Sequence, residues 1–280
     1  MAGRNKYLHP FLKWAGGKRR LLSEIRRYVP GKFNTYFEPF LGAGAVLFDL
    51  RPAKAVVNDI NSELINVYKV IKTDVAALAA DLTRHKNEKE YYYRLRDIDR
   101  TEGFLALAPV ERASRIIFLN KTCYNGLFRV NSQGHFNVPF GAYKNPKIVD
   151  EPALEAIHQY LSDNDITILN TDFETALTQA ARDDFIYLDP PYEPLSQTAS
   201  FTGYSWNGFG RDQQVRLKRV FDDLSTRGCR VLLSNSATPF IRELYKDYPT
   251  ITVSAGRAIN SNALKRGKVD EILVTNYLPV

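Results

Sequence analysis

The chain has 280 residues, 44% of them hydrophobic and 25% charged, the balance of a water-soluble globular protein. No segment carries the ~18 unbroken apolar residues of a membrane span, and the N-terminus lacks a signal-peptide apolar stretch. Two distant cysteines (Cys123 and Cys229) and four scattered histidines argue against disulfides and against a metal centre, and fit a reducing, cytoplasmic setting. The net charge of +7 is unevenly spread. Lys13, Lys18, Arg19, Arg20, Arg26 and Arg27 crowd the start, and Arg257, Lys265, Arg266 and Lys268 crowd a loop near the end, a pattern that fits a polyanionic partner.

In chain order, Thr35–Phe40 reads as a short strand running into Leu41-Gly42-Ala43-Gly44, with a helix starting over Ala45–Leu50. Ala55–Asn58 reads as a buried strand ending at Asp59. The middle of the chain breaks this strand–helix alternation. Apolar spacing predicts one helix over Ser62–Leu82 and others over Lys89–Asp99 and Pro109–Asn120. Two short strands, Tyr124–Val130 and His135–Pro139, flank the polar turn Asn131-Ser132-Gln133-Gly134 and read as a β-hairpin. The alternation then resumes, with strands at Ile166–Asn170, Phe185–Leu188, Arg230–Ser234, Ile251–Ser254 and Ile272–Tyr277. Asp212–Leu224 is an amphipathic helix, and Thr238-Pro239 is an N-cap and first residue of a helix to about Tyr245. The expected fold is α/β, a mostly parallel sheet covered on both faces, with the middle as an insertion.

Three motifs carry chemistry. Gly42-Ala43-Gly44 lies between strand and helix, where a backbone can approach a small molecule, and Asp59 closes the next strand, where an acid typically bonds ribose hydroxyls. The third glycine of a dinucleotide fingerprint is absent, since position 47 is Leu. That combination fits a nucleoside without a pyrophosphate, of which S-adenosyl-L-methionine is the common example. Lys13-Trp14-Ala15-Gly16-Gly17-Lys18 fails as a P-loop, because Leu12 stands where the first glycine belongs and Arg19 follows the lysine. A Gly-rich turn between Trp14 and Lys18 can instead cover the methionine end of such a cofactor.

Asp189-Pro190-Pro191-Tyr192 ends the apolar run Phe185–Leu188. An exocyclic amino group on a base is a poor nucleophile, because its lone pair is delocalised into the ring. A carboxylate (Asp189) and a backbone carbonyl (Pro190) that each accept one N–H would localise that lone pair, most effectively in a dry pocket. Pro191 stiffens the turn, and Tyr192 offers a ring for the base to stack on. Cys123 follows Thr and Cys229 follows Gly, so the proline-preceded nucleophile of cytosine-C5 chemistry is missing. An adenine-modifying enzyme acting on RNA and a catalytically silent nucleic-acid-binding subunit are the rival readings.

Taken together the motifs resemble Dam-type DNA adenine-N6 methyltransferases, including the related methylases of restriction–modification systems. The resemblance rests on Phe11–Lys18, Phe37–Gly44, Asn58–Asn61, Tyr124–Arg129, Phe136–Gly141, Asp189–Tyr192 and Leu233–Ser236, in that order over essentially the whole chain. It implies a Rossmann-like S-adenosylmethionine-dependent methyltransferase sheet formed by residues 1–60 and 161–280, with residues 61–160 as a helical and hairpin target-recognition insertion. It implies cofactor contacts from Trp14, Ala15, Gly16, Lys18, Glu38, Phe40, Gly42, Gly44, Asp59, Asp172, Phe173 and Asp189. It also implies that Leu127, Arg129 and Pro139 read GATC in duplex DNA, that Lys13 contacts the first guanine, and that Tyr124 and Asn125 wedge the duplex while the adenine is flipped out. A cognate restriction endonuclease encoded nearby and a nucleoid-associated, cytoplasmic location are further expectations, with no membrane and no metal.

Overall fold

The structure, a computed structural model, describes residues 5–14, 16–194, 209–256 and 268–278, with the side chains of 254–256 and 268–269 left aside. Seven strands form one sheet: β1 (Tyr36–Glu38), β2 (Lys54–Asn58), β3 (Asp165–Leu169), β4 (Phe185–Leu188), β5 (Arg230–Ser236), β6 (Thr250–Gly256) and β7 (Lys268–Thr275). The helices are α1 (Leu22–Tyr28), α2 (Ala45–Leu50), α3 (Ser62–Thr73), α4 (Val75–Leu82), α5 (Lys89–Asp97), α6 (Pro109–Thr122), α7 (Glu151–Asp163), α8 (Phe173–Ala176), α9 (Arg211–Thr226) and α10 (Pro239–Leu244).

The strand order is β3-β2-β1-β4-β5-β7-β6. It reverses direction between β1 and β4, the kind of switch point at which open α/β sheets bind ligands. β1 and β4 pair in parallel with Phe37 beside Ile186, and β4 and β5 pair in parallel from Phe185–Arg230 to Leu188–Leu233. All four residues of β4 are buried, which explains why it reads as an unbroken apolar run. β7 runs antiparallel to both β5 and β6, a reversal that the short apolar runs of the sequence do not announce. The arrangement is a mixed α/β sheet with the Rossmann-like order that was expected.

By their contacts the residues group into two compact units. One comprises Lys18–Phe40, Lys54–Val56 and Phe173–Val280. Its core packs Ile186 and Leu188 of β4, and Val231 and Leu233 of β5, against Leu217, Val220, Phe221 and Leu224 of α9. The helical spacing of those four α9 residues is the one seen in the sequence. α10 starts as expected, with Thr238 Oγ1 accepting the Ile241 N–H at 3.2 Å.

The other unit comprises Met1–Gly17, Leu41–Ala53 and Val57–Asp172. The single helix expected over Ser62–Leu82 is two, because Asp74 leaves helical geometry (φ −151, ψ 58) and caps α4 by accepting the Ala77 N–H. The hairpin expected over Tyr124–Pro139 lacks regular strands. Tyr124–Gly126 is a 3-10 turn, and only the isolated bridges Cys123–Phe140 and Val130–Phe136 pair the two sides. Side chains stand in for the missing ladder. Asn131 Oδ1 accepts the N–H groups of Gln133 and His135, each at 3.0 Å, and Asp99 Oδ2 accepts the Phe136 N–H at 2.8 Å. Asp99 also holds Arg115 of α6 at 2.9 Å, both side chains being buried. A second clasp lies at the sheet end of this unit. Asn58 donates to Thr171 O at 3.0 Å and accepts from Thr171 N at 2.9 Å, while Asn170 donates to Asp59 O at 2.8 Å.

Candidate functional site

Asp189 emerges where the buried β4 ends, and its side chain is 18% exposed. Lys18 Nζ lies 2.8 Å from Asp189 Oδ1, and Ser234 Oγ donates to the same oxygen at 3.0 Å. Both bonds fall on Oδ1, so among the described residues Oδ2 is left to accept from a ligand. Burial raises the Asp189 carboxyl above its ordinary range, the Lys18 ammonium and the Ser234 hydroxyl pull it back, and Glu271 pushes it up again. Lys18 is therefore no member of a basic surface cluster: it is buried. Its ammonium also sits 4.6 Å from the centre of the Tyr192 ring.

The turn after Asp189 is fixed by neighbours that sequence reasoning did not place in the site. Gln214 donates to Pro191 O at 2.8 Å, Asn235 holds both Gln214 (3.0 Å) and the Glu193 N–H (3.2 Å), and Ser236 Oγ donates to Glu193 O at 2.7 Å. Tyr192 donates to Glu271 of β7 at 2.7 Å, which anchors the hydroxyl end of its ring. The polar run Ser234-Asn235-Ser236 at the end of an otherwise apolar strand was the available signal for this shell, whereas Gln214 and Glu271 carry none. Pro190 is buried in the same turn.

In the same unit, Glu38 closes β1 with 2% exposure and accepts the Tyr36 hydroxyl at 2.9 Å. Phe40 packs against Phe173, rings 5.4 Å apart, and the Arg216 guanidinium lies 4.6 Å from the Phe173 ring. Three of the expected cofactor residues thus stand on the β1 end and on α8, with Phe40 and Phe173 brought into contact.

The other unit carries the glycine turn. Asp59 joins it to the start of α3: Oδ2 accepts Gly42 N and Oδ1 accepts Asn61 N, both at 2.9 Å. Burial raises the Asp59 carboxyl and those two N–H groups oppose the rise. At Gly42 (φ +51) a Cβ would press on Trp14 Cδ1 at 3.0 Å, and at Gly44 (φ +69) it would collide with the Tyr68 hydroxyl at 2.8 Å. The two glycines are thus demanded by protein packing and by left-handed backbone. Trp14 stacks on Phe128, with ring centres 4.6 Å apart and planes 24° from parallel. Gly16 is exposed at φ +73, and Asp172 is half-buried. Ala15 lies outside the described residues, as do Arg257, Lys265 and Arg266 of the terminal basic loop and the side chain of Lys268.

The residues expected to touch DNA belong to this unit as well. Tyr124 is 53% exposed and Asn125, beside it, is held at φ +56. Pro139 O accepts the Tyr124 N–H at 2.8 Å, and Leu127 is half-buried beyond the turn. Arg129 is exposed but not loose. Its Nε donates to Asn137 Oδ1 at 2.7 Å and its Nη2 to Asn137 O at 3.3 Å, which turns the outer face of the guanidinium away from the protein. Lys13 is exposed, with its ammonium 5.5 Å from the centre of the Tyr143 ring.

Thiolate chemistry is not on offer. Cys123 and Cys229 are buried, and burial pushes their thiols up to about 12 and about 11. Among the described residues no cluster of three His, Cys, Asp or Glu is placed to hold a metal ion, and no helix is long and apolar enough to cross a membrane.

Residues 14–259 match the family model of the D12 class N6 adenine-specific DNA methyltransferases. The chain is 49% identical to the type II methyltransferase M1.LlaDCHI of Lactococcus lactis subsp. cremoris, over 96% of each chain. It is 42% identical to the type II methyltransferase M.MjaIII of Methanocaldococcus jannaschii, covering 96% of this chain and 99% of that one. The DNA adenine methylase of Escherichia coli K12 is 39% identical over 94% of this chain and 93% of its own.

Proposed function

Since the chain belongs to the D12 class N6 adenine-specific DNA methyltransferases, and is a site-specific adenine DNA methyltransferase, we propose that it methylates adenine N6 within duplex GATC from S-adenosyl-L-methionine, after turning the base out of the helix. The observation that carries this reading is Asp189, a carboxylate held on one oxygen by Ser234 and by Lys18, whose ammonium also faces the Tyr192 ring.

When bound, S-adenosyl-L-methionine would supply an electrophilic methyl carbon and a thioether leaving group. The residues fit it. Asp59 has given each oxygen one backbone N–H, and a carboxylate offers about four acceptor sites, so both oxygens can still take ribose hydroxyls. Trp14, Gly16, Lys18, Glu38, Phe40, Gly42, Gly44, Asp172, Phe173 and Asp189 complete the cofactor set we propose, with Ala15 assigned on sequence alone.

The work of the protein is to orient and to accept. Asp189 and the Pro190 carbonyl would each accept one N–H of the adenine amino group, concentrating the lone pair on nitrogen, while Pro191 keeps the turn stiff. Tyr192, its hydroxyl tied to Glu271, would receive the face of the base. Flipping costs a few kcal/mol, offset by stacking and by contacts made around the vacated position. Tyr124 and Asn125 would fill that position. Leu127, Arg129 and Pro139 would read the site in the major groove, and Lys13 would contact the first guanine. With Nε and one N–H of Nη2 of Arg129 held by Asn137, Nη1 and the second N–H of Nη2 remain for O6 and N7 of a guanine.

In this reading residues 61–160 are the recognition insertion, and residues 1–60 and 161–280 form the catalytic domain. That two relatives bear type II names supports a cognate restriction endonuclease encoded nearby, and a DNA substrate supports a nucleoid-associated, cytoplasmic location. The test is to express the chain in a methylation-free host and sequence its DNA with detection of modified bases. N6-methyladenine in GATC is expected. Methylated cytosine, or adenine methylated only in another context, would overturn the assignment.

A further inference from the structure

One fully buried amide joins the two places from which the proposed first-base contact and the proposed wedge arise. Asn120 stands near the end of α6 with no exposed surface. Its Oδ1 accepts the Lys13 N–H at 2.9 Å, and its Nδ2 donates to Lys13 O at 2.8 Å and to Gly126 O at 3.1 Å. Only one seating of the amide works, since turning it over would set its oxygen against two carbonyl oxygens. Lys13, 107 residues away in sequence, is thus gripped on both of its peptide groups, and the turn Tyr124–Gly126 hangs from the same nitrogen.

The stem of Lys13 is fixed too. It lies across Gly126, which is held at φ +63, and a Cβ there would come within 2.3 Å of Lys13 Cδ and 3.0 Å of its Cβ. The Tyr143 ring takes the far end. Such bracing matters for a lysine in particular. An ammonium on a flexible stem is a point charge with little directional preference, so an unbraced one would bond a phosphate as readily as a base edge.

We propose that Asn120 is a positioning residue that couples the reading of the first base pair by Lys13 to the extrusion of the target adenine by the Tyr124–Asn125 turn. The inference rests on the roles given above to Lys13 and to that turn. Displacing Lys13 from its guanine pulls on the amide that holds Gly126 O, so a wrong first base disturbs the wedge. A correct one leaves turn and lysine in register. Extrusion is thereby made conditional on a base pair that the wedge does not touch.

The experiment uses duplexes with 2-aminopurine at the target adenine, whose fluorescence rises on unstacking, beside matched adenine duplexes for methylation rate. Intact GATC and each single-pair variant are compared for the unaltered chain, Lys13→Ala, Asn120→Ala, the double variant and Gly126→Ala. Lys13→Ala should lose discrimination at the first pair alone, by roughly five- to 150-fold. Asn120→Ala should lose discrimination at that pair to a similar degree and also show a weaker fluorescence rise with intact GATC. Its discrimination at the other three pairs should stay within about twofold, which a general loosening of structure would not produce, and the double variant should discriminate no worse than Asn120→Ala. If Asn120→Ala does not fold, Gly126→Ala decides, because its methyl group displaces the same lysine stem and the same signature is expected. First-pair discrimination kept by the folded variant that decides, while Lys13→Ala loses it, overturns the coupling and leaves the reading of Lys13 intact. Discrimination kept by Lys13→Ala overturns that reading, and the coupling with it.

Discussion

Lys18→Met keeps an unbranched stem beside Tyr192 and removes the charge 2.8 Å from Asp189 Oδ1. Two unit charges at that distance attract by about 6 kcal/mol at an effective dielectric near 20. Asp189 is 18% exposed and keeps its bond from Ser234, so only part of that attraction acts on its protonation. Even a quarter of it, about 1.5 kcal/mol, changes the protonation equilibrium about tenfold. The sign follows from the causes. Burial already raises the Asp189 carboxyl and Lys18 opposes the rise, so without Lys18 the carboxyl stays protonated to higher pH. A protonated Asp189 has lost the anionic acceptor needed by the amino group, so turnover falls as pH falls, and in the variant the fall begins sooner. Relative to the unaltered enzyme, Lys18→Met should lose progressively more rate as pH falls from about 9, by a factor that approaches about tenfold for a tenfold change in that equilibrium. Single-turnover methylation of a GATC duplex at saturating labelled cofactor measures this without interference from product release. An equal loss at every pH would refute the reasoning and leave Lys18 as a residue that only binds cofactor.

Asp189→Ala should fold and bind duplex DNA yet lose about 10²–10³ in single-turnover rate, since one preorganised acceptor is gone; near-normal turnover would remove it from the chemistry. Arg129→Ala should relax discrimination by about 1–3 kcal/mol at one base pair, and Asn137→Ala should do so in part, read as methylation rates on single-pair variants of GATC. Asp99→Ala leaves the buried Arg115 cation without its partner, so the denaturant midpoint should drop by the equivalent of about 3–5 kcal/mol, and a change within error would show the pair to be idle. His85, bonded to Tyr91 at 2.7 Å and to Ser114 at 2.8 Å, is held below its usual 6.5 by burial, with Asp81 opposing and Arg84 adding to the effect. The unfolded imidazole therefore protonates first, and stability present above pH 6.5 should be lost as pH falls. Urea unfolding as a function of pH should show this slope, and His85→Gln should flatten it.

The strands were legible because burial wrote itself into composition: β4 is four buried apolar residues bounded by Asp184 and Asp189. What escaped was whatever depends on pairing across the chain. Apolar spacing runs straight through Asp74, so the break between α3 and α4 is invisible until its side chain is seen capping Ala77. The polar turn at Asn131 announced a hairpin, yet only two isolated bridges pair its sides, while the Asn131 side chain closes the turn and Asp99 anchors Phe136, contacts that alternation of residue type cannot register. α7 was not anticipated, although Ala153, Leu154, Ile157 and Leu161 recur on one face. In the site, Asp189 and Tyr192 could be named from their motif. Glu271 could not, because it reaches Tyr192 only through the register that sets it opposite Ser236 on β5.

The clasp of Asn58 on Thr171 has a consequence for how this chain can change. It pins together two points 113 residues apart with a pair of side-chain bonds, and Asn170 adds a third beside it. For the intervening segment the ends are therefore already closed, and the entropy of closure grows only with the logarithm of its length, at about 0.6 kcal/mol per doubling. Lengthening the segment by some 20 residues would cost roughly 0.1–0.2 kcal/mol on that account. The cost of a longer or shorter intervening segment is thus set by its own packing, and the clasp holds Asp59, which lies between Asn58 and the start of α3, through the Asn170 bond to its carbonyl.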